Sequence, residues 1–246
     1  MAVGGYLNVK ILSWVFVFSS VLIWSAIEPA DRLTWWMEVI PALLGFVILL
    51  MTRQRFLLTE MVYFLILIHA VILMVGGHFT YAEVPYDGWL ESLFGRGLNE
   101  TLGWDRNHFD RLVHFSWGLL ITYPVREMFL RVANASGFWG YLFPMLVVMS
   151  SSLLFELIEW AAAIVFGGEL GMAYLGTQGD IWDSHKDSAL ATLGSLIASA
   201  VIAGIHSGLD RDFTREWVDS LRVKHPDPMG EVAVERMRNA RQHEAD

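Results

Sequence analysis

Between Glu60 and Glu83 the chain carries no Lys, Arg, Asp or Glu, although two histidines, His69 and His78, fall inside the run. A hydrocarbon core about 30 Å thick is crossed by roughly 20 helical residues, so a stretch of this length reads as a membrane span. Five further stretches read the same way. Residues 11–27 are entered after Lys10 and closed by Glu28-Pro29, and residues 33–51 carry only Glu38, near the start and so at the interface. Residues 108–124 are stopped by Arg126 and Glu127, residues 137–166 hold Glu156 and Glu159 in their final third, and residues 184–205 form the sixth. Composition agrees: 54% of residues are hydrophobic and 17% charged, against about 25% charged in ordinary globular chains. Too few polar residues remain to cover a soluble surface. The predicted fold class is all-α, a polytopic membrane helix bundle of six transmembrane helices with a short cytoplasmic C-terminal tail.

The same numbers exclude several functions. A net charge of −9 disfavours a nucleic-acid partner held by phosphate contacts. The absence of Cys removes disulfides, thiolate metal sites and cysteine nucleophiles. No H-E-x-x-H, G-x-S-x-G, phosphate-loop or dinucleotide fingerprint occurs. The first apolar run is too long for a signal peptide and no A-x-A site follows it, so a retained helix is expected.

Orientation follows from basic residues, which accumulate on cytoplasmic segments. Lys10, Arg53, Arg55, Arg126, Arg131 and the tail arginines fall on one side; Arg32, Arg96, Arg106, Arg111 and Lys186 fall on the other among many acids. The short loops balance, so the basic tail and the even span number place both termini in the cytoplasm. Two units are expected: a transmembrane domain over 1–208 and an amphipathic, charged tail over 209–246. In the tail Phe213, Trp217 and Leu221 form one apolar stripe before the break at His225-Pro226-Asp227-Pro228.

This topology sends ionisable residues from four helices to the outer face. Polar groups at membrane depth are costly and face a bundle interior or a wet cavity. At about 100° per residue, Asp110 and His114 lie about 40° apart on one helix face, Glu156 and Glu159 about 60°, and Asp183 and Asp187 about 40°. Carboxylate pairs with an imidazole from neighbouring helices suit a hard or borderline divalent ion. The expected metal ligands are therefore His114, Glu156, Glu159, Asp183 and Asp187, with a divalent metal ion as cofactor. Structural roles compete with this. Asp180 suits an N-cap, Asp110 can pair with Arg106 or Arg111, Glu159 can pair with an outer-loop arginine, and His69 suits a packed, hydrogen-bonded core histidine. His185 lies off the Asp183–Asp187 face. The 83–107 segment has the length of a lid, with a short helix over 90–94, and Gly176 and Gly179 allow a tight turn in the second outer segment.

At these residues the sequence resembles a known family. The stretches IWSAIEPADR from Ile23, LMVGGHFTYAEVP from Leu73, RNHFDR from Arg106 with His114-Phe115, ELIEW from Glu156 and LGTQGDIWD from Leu175 are similar to the YjdF-type bacterial inner-membrane proteins. The resemblance covers residues 20–205 and implies a multi-pass protein of the bacterial cytoplasmic membrane; it implies location and leaves the chemistry to the residues. A weaker, motif-level similarity is to VanZ-like membrane proteins, which share an early His-Phe and acidic positions entering a later helix. Where those proteins carry Asn in the later helix, this chain has Ala191 and Gly194.

The function expected from these residues is a metal site open to the outer leaflet, acting on an amphiphile or lipid headgroup in the surrounding bilayer. Glu156 and His78 are the expected acid–base residues, and Arg106 and Arg111 would hold an anionic headgroup. Two alternatives stand beside it. One is a proton- or ion-coupled transporter, and the other is a non-catalytic scaffold whose polar network is interhelical glue.

Overall fold

A computed structural model of the chain describes residues 2–166, 176–209, 212–225 and 230–243, of which residues 2–10, 166 and 243 are described as backbone only. Every described element is helical. In chain order these are α1 (Ala2–Ser25), α2 (Arg32–Thr52), α3 (Glu60–Phe79), a single 3₁₀ turn (Tyr81–Glu83), α4 (Tyr86–Phe94), α5 (Leu98–Leu102), α6 (Phe109–Val132), α7 (Trp139–Phe166), α8 (Asp183–Leu209), α9 (Phe213–Ser220) and α10 (Glu231–His243). Arg211, the Pro226–Pro228 break and Tyr174–Leu175 of the glycine-bearing outer segment lie outside the described residues.

Four helices are long and apolar enough to cross a membrane: α2, α3, α7 over Trp139–Val165, and α8. α1 is apolar over Ile11–Ser25. α6 has the length, at 24 residues, but Asp110, Arg111, Arg126, Glu127 and Arg131 make it the most polar of the long helices. Its charges cluster at its two ends, while its middle is buried against three neighbours. The fourth apolar stretch was expected to stop at Pro124. Instead, Pro124 lies inside α6, which runs on to Val132. Proline removes one N–H and one backbone bond, a loss that packing on both sides tolerates. Large apolar side chains such as Phe16, Met51, Leu154 and Val201 remain exposed around the outside. Water would penalise so much apolar surface, whereas lipid is its natural solvent.

Local chemistry defines the helix ends that matter for the site. The α2 N-cap is Asp31, whose carboxylate accepts the Thr34 N–H at 2.7 Å. That bond holds the Asp31 carboxyl below its ordinary range. The 83–107 segment is folded, with α4 and α5 each closed by a left-handed glycine, Gly95 and Gly103. It is stitched together by Tyr86 donating to Asn99 Oδ1 (2.8 Å), the Asn99 N–H donating to Asp87 (2.7 Å) and Asn107 Nδ2 donating to the Val84 carbonyl (2.8 Å).

The long helices alternate in direction and assemble around two of their number. α1 and α2 pack on α3, α3 packs on α6, and α7 and α8 pack on α6 and on each other. The most extensive contact is α6 against α8, and small residues make it so. A Cβ added at Gly118 would collide with the Ala191 carbonyl, and one at Gly194 would collide with the Phe115 carbonyl and the Leu119 amide. The backbones therefore touch, as small residues permit between membrane helices. One turn away, the Thr122 and Ser195 hydroxyls share a hydrogen bond of 2.7 Å in the same buried seam.

At the other end of the bundle, α9 docks on the start of α7. Gly137 N–H donates to Glu216 Oε1 (3.0 Å), Phe138 N–H to Ser220 Oγ (3.0 Å) and Trp139 Nε1 to the Ser220 carbonyl (2.9 Å). Phe213 and Trp217 of the expected apolar stripe meet Tyr141, whereas Leu221 is exposed.

The backbone contact makes the α6–α8 seam intolerant of added volume. Gly118→Ala should lower the unfolding free energy in detergent by about 1–3 kcal/mol, the usual cost of overpacking. Gly204→Ala on the same α8, which meets open space, should leave the thermal unfolding midpoint unchanged or higher, because alanine favours helix. Equal midpoints for the two variants would contradict the seam.

Candidate functional site

The end of the bundle bearing α4 and α5 gathers the ionisable residues. α6 enters it with Asp110 and His114 one turn apart on the buried face. α8 begins there with Asp183 and Asp187, likewise one turn apart and buried. α7 brings Glu156 and Glu159 in its last turns, both buried. One ligand atom from each of Asp110, Asp183 and Asp187 lies within 4.8 Å of the others, a spacing that fits a shared metal ion. His114 Nε2 lies 3.1 Å from Glu156 Oε1 and 3.8 Å from Asp110 Oδ1, and its Nδ1 is 3.0 Å from Ser152 Oγ. The five expected metal ligands thus arrive at one end, where Asp110 joins Asp183 and Asp187 and the His114–Glu156 pair flanks them.

Arg106 and Arg111 clasp the rim. Arg106 binds Asp183 through both terminal nitrogens, at 2.6 and 3.0 Å, and also donates to the carbonyls of Thr177 (2.9 Å) and Gly176 (3.1 Å). Arg111 Nη2 donates to Asp180 at 2.6 Å and to Asp183 at 3.1 Å. Its Nη1 lies 3.0 Å from His108 Nδ1, a contact that needs the ring nitrogen to accept. Gly176 and Gly179 hold positive φ, 62° and 87°, as the expected tight turn requires. Asp180, expected as an N-cap, stands three residues before α8 begins at Asp183 and serves in the turn and the rim ion pairs instead. It accepts the Trp182 N–H at 3.1 Å and pairs with Lys186 at 2.5 Å. Lys186, the Trp182 N–H and Arg111 hold its carboxyl down to about 2.

The arginines satisfy Asp180 and Asp183, and neither forms an ion pair with Asp110. Glu159 has no arginine partner among the described residues. The buried acids left over are Asp110, Glu156, Glu159 and Asp187, joined by one imidazole, His114. Asp110 Oδ1 and Asp187 Oδ1 are buried without a hydrogen-bond partner, while Glu156 Oε1 and His114 Nε2 face each other at 3.1 Å. Unpaired buried charge is strongly unfavourable, so a compensating cation or bound protons are required there.

Glu38 belongs with this group, although its place near the start of an apolar run suggested an interfacial residue. It is 2% exposed. Its Oε1 accepts the Tyr81 N–H at 3.2 Å, the Tyr81 hydroxyl donates to its carbonyl at 3.3 Å, and Oε2 is buried without a partner. The turn that delivers Tyr81 is strained, since Thr80 is a β-branched residue at φ 68°, ψ 131°. Such strain persists only where surrounding packing enforces it. The available signal was a lone acid within an apolar run.

Two histidines lie apart from the carboxylates. His78 sits on the α1 side of α3, with Nδ1 3.2 Å from the Ser25 carbonyl and its ring against Trp24 and Phe79. His69 is a buried core histidine hydrogen-bonded to Ser116 at 2.9 Å, its ring beside Trp117.

Residues 10–208 match the family described as "Predicted membrane protein (DUF2238)". The chain belongs to the DUF2238 family. It is 40% identical over 187 residues to the Inner membrane protein YjdF of Escherichia coli (strain K12), covering 76% of this chain and 85% of that relative. No solved structure matches. The DUF2238 region contains every residue of the acidic end and stops before α9 and α10.

The Asp180 clasp has a pH signature. A carboxyl lowered in the folded state stabilises the fold above its unfolded value, 3.8, and that contribution disappears as pH falls toward the folded value. Asp180→Asn should therefore show a smaller loss of thermal midpoint than the unsubstituted protein between about pH 4 and about pH 2. Parallel midpoint-against-pH curves would rule out the ion-paired Asp180.

Proposed function

We propose that this DUF2238 protein is a six-pass protein of the bacterial inner membrane, with both termini cytoplasmic and a divalent-cation site at its outward end. The location is supported by the apolar helices and by the 40% identity to an inner-membrane protein. The cation site is carried by one observation: Asp110, Asp183 and Asp187 converge within 4.8 Å amid buried oxygens that lack partners. An all-oxygen set suits a hard ion such as Mg²⁺, Mn²⁺ or Ca²⁺. Glu156 and His114 flank it, and Glu159 completes the acidic shell.

In this reading the site acts on a lipid headgroup. A cation held by Asp110 and Asp187, with Asp183 shared with Arg106 and Arg111, would polarise a headgroup oxygen or activate water. The His114–Glu156 pair, 3.1 Å apart, is placed to take up and return a proton. Arg111 keeps a buried Nε without a partner, a donor that an anionic headgroup could engage at the rim beside Arg106. His78 is held on the α1 side and takes no part.

A second reading, an ion-coupled carrier, draws support from a stripe of buried polar residues along α6: Asp110, His114, Thr122 and Arg126. The backbone contact at Gly118 and Gly194 interrupts that stripe, which favours a site closed toward the cytoplasm.

Purified protein freed of metal and titrated with Mn²⁺ should bind about one equivalent, and Asp187→Asn or Asp110→Asn should weaken binding by at least about tenfold. Glu127→Gln, at the opposite end of the bundle, should bind normally. Absence of stoichiometric Mn²⁺, Mg²⁺ or Ca²⁺ binding, or unchanged affinity in both aspartate variants, refutes the cation site.

A further inference from the structure

Behind the acidic end lies a cavity of about 430 Å³ enclosed by α1, α2, α3, α6 and α7, within the range of small-molecule sites. Small residues on two helices open it: Ala42 and Gly45 of α2 and Ala70 of α3. Its lining is apolar except for His69, His114, Ser151 and Ser152. His114 is the shared wall, since it lines the cavity while its Nε2 meets Glu156 and Asp110.

The mouth can be located from exposure. Of the lining residues, Ile48 of α2 and Leu154 and Ile158 of α7 are more than half exposed. α2 packs on α3, and α7 packs on α6 and α8, with no extended packing between α2 and α7. The opening is therefore a lateral gap between two helices that are each apolar enough to cross the membrane, so it faces hydrocarbon. Along α6 the lining runs from Val113 to Pro124, about 16 Å at 1.5 Å per residue. One leaflet of a core about 30 Å thick is about 15 Å deep. Length, polarity and access all describe a bilayer chain, and the amphipathic α9 is docked at the other end of the bundle.

We infer that this cavity seats one acyl chain of a bilayer phospholipid, admitted between α2 and α7, with His114 at the boundary between chain and headgroup. The inference deepens the amphiphile part of the proposed function and rests on it only for what the headgroup meets. The chain slot itself needs no cation. Gly45 offers the means to close it, because a Cβ there meets nothing within 4 Å, so a larger side chain enters the cavity without displacing backbone.

The test uses the full chain in phosphatidylethanolamine–phosphatidylglycerol vesicles containing phosphatidylethanolamine with a diazirine near the end of one acyl chain. After irradiation, peptide mass spectrometry should find adducts on Leu73 and Ile121, which line the cavity and are buried from surrounding lipid. Gly45→Phe should lose these adducts and Gly45→Leu should reduce them. Adducts on the outward-facing Phe16 and Val201 should persist in both variants, showing that each is folded in the bilayer. Labelling confined to outward-facing positions, or Ile121 adducts undiminished in Gly45→Phe, overturns the inference. So does labelling of Ile121 by a diazirine fatty acid but not by the phospholipid. The same irradiation in EDTA separates the two proposals. Adducts at Ile121 without divalent cation support the chain slot whatever the fate of the cation site, whereas Mn²⁺ binding without those adducts overturns the slot alone.

Discussion

Two glycines set the geometry on which the rest depends. Where α6 crosses α8, Gly118 meets Ala191 and Gly194 meets Phe115 with no side chain between the backbones. A contact of that kind locks the two helices in axial register, because any slide would drive a side chain into backbone. Asp110 stands eight residues before Gly118 and Asp187 seven before Gly194, about 12 and 10 Å along their axes. The carboxylates therefore reach the same level on adjoining faces. Bulkier residues at the crossing would splay the helices and open the aspartate cluster.

Electrostatics then divides the acids into two populations. At the rim, Arg106, Arg111 and Lys186 neutralise Asp180 and Asp183 and fasten the 176–183 turn to the start of α6. Beneath it, Asp110, Glu156, Glu159, Asp187 and Glu38 crowd a low-dielectric space with a single imidazole among them. A purely structural network would have paired these groups, since removing a carboxylate from water is costly unless it gains a partner. The unpaired oxygens of Asp110 and Asp187 support the proposed cation site over interhelical glue, and an apolar cavity lies on the far side of His114. One imidazole stands between an acidic space and a hydrocarbon-sized slot.

Much of this was legible in the chain. Uninterrupted apolar runs located each long helix, because a hydrocarbon solvent leaves the backbone little choice but helix, although α1 begins nine residues before its run and α6 ends eight residues after its own. Spacing one turn apart placed Asp110 with His114 and Asp183 with Asp187 on common faces, because helix geometry is local. Distant partners were not legible. Arg106 and Arg111 stood next to Asp110 in the chain and were natural partners for it, yet they reach Asp180 and Asp183, some seventy residues away, because those carboxylates occupy the rim. Glu38 read as interfacial, and only the strained turn at Thr80, bringing the Tyr81 amide across from α3, shows it buried. Arg126 and Glu127 read as the end of the fourth run, and the helix continues through them to Val132.

The sequence by itself determined the solvent, the helices and which side chains share a face of each helix. Those properties follow from hydrophobic run length and from a repeat of 3.6 residues, both complete within one segment. Only the tertiary structure decided which faces meet, which acids are neutralised and where a cavity remains. These depend on how closely two backbones approach at Gly118 and Gly194, and on gaps left between α2 and α7. Such quantities arise between segments remote in the chain, and no local pattern encodes them.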